Sequence, residues 1–190
     1  MTQYLPRILL IGGGAGSGKT ALAYTLAATM SGAALVHLDS CFHRNPGLSP
    51  SVPRLDGKPG RLVDFSDPRS LDHARIERAL AEHATSPLVI VEGTFALALP
   101  QLTALATLTV YVDTPADIRV VRKTLRKLQE GLDPAPGLLG YDASHRSYTR
   151  HVAPTRESAD LVLEGTRTTA ELAAEVQAHL PESCRKTAAP

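Results

Sequence analysis

Gly13 stands four residues before Gly18-Lys19-Thr20, giving the pattern Gly-x-x-x-x-Gly-Lys-Thr within LLIGGGAGSGKT, a stretch holding five glycines. Small residues let successive backbone N–H groups turn toward one point, which makes a nest for an anion. Gly13, Gly14, Ala15, Gly16, Ser17 and Gly18 would line that nest, followed by Lys19, Thr20 and Ala21 at the start of a helix. Lys19 supplies a point charge for terminal phosphates and Thr20 a hydroxyl for magnesium, so the segment reads as a cradle for a nucleoside triphosphate. The dinucleotide fingerprint G-x-G-x-x-G fails on register, because Ser17 and Lys19 stand where its last glycine would fall.

Such a loop works between a strand and a helix. RILLIG (7–12) precedes it, and an Ala- and Leu-rich segment from Lys19 to Met30 follows. Four more apolar runs, at 34–38, 88–93, 107–113 and 160–165, alternate with segments of helical character. These segments lie near 72–84, after Thr114-Pro115 and over 169–180, with Thr114 read as an N-cap and Pro115 as the first helical residue. The alternation predicts an α/β three-layer sandwich around a five-stranded parallel sheet. Two stretches break it: 40–70, rich in turn-formers and without a sustained period, and 131–144. The tail, 181–190, is expected to be frayed.

In an open parallel sheet, ligands bind beyond the carboxyl ends of the strands. Two acids fall there: Asp39 after ALVHL, and Glu92 behind four apolar residues, where a Walker B acid stands. Glu92 would orient magnesium, and Asp39 would accept a proton from an acceptor hydroxyl. The helix after Pro115 carries Arg119, Arg122 and Arg126 on one face. Beside the 131–144 stretch that face has the makings of a lid, because phosphoryl transfer needs cations around the transferring group. Arg126 is the first candidate for phosphate contact and Arg122 the second. His37, His43, His73, His145 and His151 lack metal-ligand spacing, and His37 reads as a packed strand residue.

The chain has 190 residues and a net charge of +1, which gives no footprint for nucleic acid or an anionic membrane and favours a small-molecule partner. Its two cysteines are too few for a disulfide framework, no run approaches a membrane span, and the start lacks a secretory cleavage site. The expectation is one cytoplasmic domain over 1–180; a homo-oligomer is compatible with the composition.

GGGAGSGKTALAYTLA, HLDSCFH, VDFSDPRSLD, VIVEGTFAL, YVDTPADIRVVRKTLRK and VAPTRESADLVLEG resemble, in order and spacing, the uridine kinase and phosphoribulokinase family of P-loop kinases. The resemblance runs from about residue 7 to 166. It implies a nucleoside-kinase-like P-loop fold with a helical lid over 115–145. The implied activity is transfer of the γ-phosphate of ATP, with Mg2+, to a hydroxyl of a small acceptor of uridine or cytidine type. It further implies Asp39 as catalytic base and magnesium neighbour, Glu92 as the second acid and Thr20 as the metal-coordinating hydroxyl. The acceptor would lie in the 40–70 region, with Phe42, His43, Arg54, Asp64, Asp67, Glu92 and Arg122 as its candidate contacts.

Three departures bear on the acceptor. The family's Asp-Ser-Phe-Tyr is here Asp39-Ser40-Cys41-Phe42, so a tyrosine hydroxyl is missing. Ser66 in Asp64-Phe65-Ser66-Asp67-Pro68 replaces the ribose-binding aspartate, unless Asp64 or Asp67 substitutes. In the lid, Arg-Asp becomes Arg126-Lys127, and the later arginines give way to QEGLDP. A different acceptor in the same family, such as a modified nucleoside or a sugar, is the alternative. A GTPase switch is disfavoured, because Asn45 is the chain's one asparagine and Asn-Lys-x-Asp cannot be built. A silent nucleotide-binding module is disfavoured by the joint presence of Lys19, Thr20, Asp39 and Glu92.

Overall fold

The computed structural model describes residues 7–56 and 58–184. In chain order its first half holds β1 (Arg7–Gly12), α1 (Lys19–Thr29), β2 (Ala33–His37), β3 (Ser51–Pro53), β4 (Arg61–Val63), α2 (His73–Ala81) and β5 (Leu88–Glu92). The second half holds α3 (Pro100–Thr103), β6 (Leu108–Asp113), α4 (Ala116–Gln129), α5 (Ala135–Leu139), α6 (Tyr141–Ser147), β7 (Leu161–Glu164) and α7 (Thr169–His179).

The five apolar runs pair in parallel in the order β2-β5-β1-β6-β7. Their near-continuous hydrophobicity follows from burial on both faces. On one face Leu9, Ile11, Ile90, Val110 and Leu163 pack with Leu22 and Leu26 of α1 and with Leu172 and Val176 of α7. On the other, Leu10, Val89, Val91 and Tyr111 pack with Ile76 of α2, Phe95, Leu102 of α3 and Val152. The expected three-layer α/β sandwich with a five-stranded parallel sheet is therefore the fold. From β1 the chain crosses toward β2, and from β6 it crosses the opposite way toward β7, so the sheet's topological switch lies between β1 and β6. The loop of residues 13–18 leaves β1 at that crevice.

Four local expectations change. Pro115, not Thr114, occupies the N-cap position of α4, and the Thr114 hydroxyl donates instead to the Ser17 carbonyl at 3.0 Å. The shift answers a buried need, because that carbonyl lies inside the domain, where an unpaired acceptor is costly. The 40–70 stretch contains the β3–β4 hairpin, too short for a periodicity to be seen in the sequence. The 131–144 break holds α5 and the start of α6, followed by a π-helical turn at Tyr148–Val152. Of the expected frayed tail, 185–190 lie outside the described residues, while Glu182–Cys184 form a turn that buries Cys184 in the core. Among the described residues no helix is long and apolar enough to cross a membrane.

Ile90, fully buried on the interior strand β5, tests the core directly. Ile90→Ala is expected to lose about 2–5 kcal/mol of unfolding free energy, measured by urea denaturation. A loss below about 1 kcal/mol would contradict this packing.

Candidate active site

The loop after β1 is built around conformations that favour glycine. Gly16 (φ 85) and Gly18 (φ 105) take left-handed backbone angles that L side chains rarely adopt. Gly18 is also the N-cap of α1, and having no side chain it leaves the first-turn amides without a capping oxygen. Such uncapped donors at a positive helix end are completed by an anion. The buried Ser17 hydroxyl likewise has no hydrogen-bond partner among the described residues. The cradle thus fits a phosphate chain by its own unfilled donors.

Lys19 is 6% exposed, and its Nζ donates to the Gly14 carbonyl at 3.1 Å. Burial pushes its ammonium pKa down, while the charges of Glu92 and Asp39 pull it back up. Both sequence-predicted acids therefore act electrostatically on this lysine. Glu92 ends β5 and is 3% exposed, with Oε2 accepting from the Thr20 hydroxyl at 3.2 Å and Oε1 2.7 Å from Nδ1 of His37. Asp39 lies exposed in the turn Leu38–Cys41 that follows β2. Among the described residues no group of three or more His, Cys, Asp or Glu could hold a metal alone. Thr20, Glu92 and Asp39 instead present the sparse oxygen donors that suit a magnesium ion shared with phosphate oxygens.

The outer wall of the cradle comes from α4 and from the turn after β7. Arg122 donates through Nη1 to the carbonyls of Gly165 (2.9 Å) and Ser17 (3.4 Å). Arg119 donates from Nε to the Thr114 carbonyl at 3.0 Å, and its guanidinium lies 4.1 Å from the Tyr148 ring centroid. A side chain at Gly14 would collide with that guanidinium. Arg126, the first candidate for phosphate contact, is exposed and 3.8 Å from Glu130; its link to the site is the push its charge gives the Lys19 pKa. The structure thus brings Arg122 and Arg119 against the phosphate loop and leaves Arg126 outside it. On this side an open cavity of about 420 Å3 is lined by Asp113, Pro115, Arg156, Val162, Glu164 and Thr166.

On the opposite side stand the candidate acceptor residues. Phe42 is only 8% exposed and packs edge-on to Phe65 and Phe95, so the ring that faces out is Phe65, 60% exposed. His43 lies 3.9 Å from the Asp72 carboxylate. Asp64 accepts from the Ser66 amide (2.9 Å) and hydroxyl (2.6 Å). Asp67 accepts from the Arg69 amide and guanidinium, which holds its carboxyl below the usual range. Arg54 pairs with Asp56 in the hairpin. Phe42 thus lies against the core, and Arg54 is held in a local ion pair.

The family model for the phosphoribulokinase / uridine kinase family matches residues 66–171, more than half of the 190-residue chain. The chain belongs to that family. Its relatives include a uridine kinase of Oceanobacillus iheyensis, 24% identical over 86% of this chain and 88% of that protein. A uridine kinase of Borrelia hermsii is 26% identical over 83% of this chain and 85% of its own. The crystal structure of TT1252 from Thermus thermophilus shares the fold, with a TM-score of 0.59 and 24% identity over 93% of this chain and 99% of that one. The chain is an ATP-dependent kinase.

Several parts of this kinase's site carry no motif. Thr114 holds the phosphate loop from 97 residues away by donating to the Ser17 carbonyl, and Arg119 and Gly165 lie against that loop. His37 joins Glu92 because they are register partners in the parallel β2–β5 pair; only the assembled sheet reveals that pairing. At Gly165 an added Cβ would collide with the Thr114 hydroxyl and lie 2.9 Å from the Ser17 carbonyl oxygen. Gly165→Ala is therefore expected to cost about 1–3 kcal/mol of stability and to weaken ATP binding, read by thermal melts and nucleotide titration. Unchanged ATP affinity would show that the turn after β7 does not shape the cradle.

Proposed function

We propose that this kinase transfers the γ-phosphate of ATP to a hydroxyl of a small nucleoside-like acceptor of uridine or cytidine type. The observation that carries the reading is the convergence of Lys19, Thr20, Glu92 and Asp39 at the carboxyl end of the sheet, two of them acting on the charge of the buried lysine. The names of the uridine kinase relatives support the acceptor class.

In this reading residues 13–21 bind the triphosphate, and Lys19 leaves the Gly14 carbonyl to meet the terminal phosphates. A magnesium ion, when bound, neutralises charge on the transferring group; Thr20, Glu92 and Asp39 are the residues that would hold it or its waters. Asp39 orients the acceptor hydroxyl and takes its proton, an assignment its exposure allows. Residues 40–70 form the acceptor region. The 115–145 segment serves as lid, hinged at the start of α4, which buries no residue and is anchored there by Arg119 and Arg122. Arg122 keeps the Ser17 and Gly165 carbonyls in register. Arg126 reaches the transferring group only when the lid closes. The cavity beside Arg156 takes the rest of the donor nucleotide.

A second reading, a kinase of the same family with a sugar or another metabolite as acceptor, is favoured by one observation. Asp64 and Asp67, the carboxylates that would replace the absent ribose-binding aspartate, are each engaged by a neighbour, Ser66 and Arg69. A site that holds a diol through buried polar groups rejects analogues lacking it by large factors.

A coupled ADP assay over nucleosides and sugars, with mass spectrometry of the product, separates the two readings. Uridine- or cytidine-dependent ADP release supports the first, and release with a non-nucleoside alone overturns it. Asp39→Asn is expected to lower turnover about 10²–10⁴-fold while ATP affinity changes little. Near-normal turnover would remove Asp39 as the base.

A further inference from the structure

We infer that His37 is a positioning residue that fixes Glu92, and through it the Thr20 hydroxyl, for the divalent cation. The inference rests on the reading above, in which Thr20 and Glu92 face that cation.

His37 and Glu92 are register partners on adjacent parallel strands, so their side chains leave the same face of the sheet side by side. Nδ1 of His37 lies 2.7 Å from Oε1 of Glu92, and Oε2 accepts from Thr20 at 3.2 Å. A carboxylate only accepts, so with Glu92 ionised the Nδ1 atom carries the proton. Held at both oxygens, the carboxylate cannot turn about its last torsion. The Thr20 hydroxyl hydrogen is thereby committed to Glu92, which leaves the hydroxyl lone pairs available to a cation.

The ring of His37 is itself held. Tyr24 tilts against it with centroids 5.2 Å apart, and Tyr24 stands one helical turn after Thr20 on α1. Thr20, Glu92, His37 and Tyr24 thus close a square between α1, β5 and β2. Its position also ties the square to the other acid: the His37 carbonyl accepts from the Ser40 hydroxyl at 2.7 Å, within the turn that carries Asp39. A group that orients a metal-side ligand without touching the metal commonly changes metal affinity 10–100-fold when removed.

Two substitutions separate positioning from packing. His37→Phe keeps a ring for Tyr24 and removes the donor to Glu92; His37→Asn keeps a polar group near the place of Nδ1. Calorimetric titration with ADP, once in magnesium chloride and once in EDTA, reads the magnesium-linked gain in affinity without any turnover. His37→Phe is expected to lose that gain by about tenfold with affinity in EDTA unchanged, and His37→Asn to keep most of it. Equal affinity loss in both buffers, or an intact gain in His37→Phe, overturns the inference. A wild-type protein whose ADP affinity ignores magnesium overturns the underlying site reading as well, whereas a normal wild-type gain retained by His37→Phe removes only the role of His37.

Discussion

An ammonium group taken out of water needs acceptors and counter-charge, and the buried Lys19 finds one carbonyl, that of Gly14, at 3.1 Å. Burial still leaves its charged form disfavoured, with Glu92 and Asp39 only partly compensating. A phosphate chain would complete what the protein leaves short, because it brings anionic oxygens to an ammonium and to uncapped helix amides at once. The arrangement around the loop serves this requirement. Thr114 and Arg122 hold the Ser17 carbonyl from outside, which keeps the loop's backbone fixed while its inner donors stay open. The parallel sheet, with its switch between β1 and β6, puts that loop where both flanking sides have room for ligands.

The two sides of the cradle differ in how much they were legible in the sequence. The donor side is written in consecutive residues: glycines, Lys19 and Thr20 between a strand and a helix, with local conformation dictating each type. The five strands were equally legible, because burial on both faces forces apolar runs. The acids at the ends of β2 and β5 followed from strand ends. What did not follow are relations that only tertiary pairing creates. His37 reads as a packed strand histidine until β2 aligns with β5 and sets it beside Glu92. Thr114 has the look of a cap because Thr-Pro before a helix usually provides one, yet a buried carbonyl at Ser17 claims its hydroxyl.

The acceptor side was the least legible, and the structure explains why. Residues 40–70 contain a hairpin of three-residue strands and a series of short-range carboxylate contacts, none of which has a period. Asp64 and Asp67 look like free ligands in a linear reading but are committed to residues two positions away. Phe42 moves into the core and Phe65 takes the exposed place. The ATP-dependent kinase chemistry therefore rests on the shared loop and the family, while the choice of acceptor falls, in the proposed reading, to this less regular surface.

In the proposed reading the buried Lys19, in its glycine-built cradle, is the cation that meets the transferring phosphate, and Lys19→Ala removes it. With an accepted substrate in a coupled ADP assay, turnover is expected to fall at least about 10²–10³-fold, with the thermal melt preserved. Turnover within a few fold of wild type in a folded Lys19→Ala protein would contradict the account.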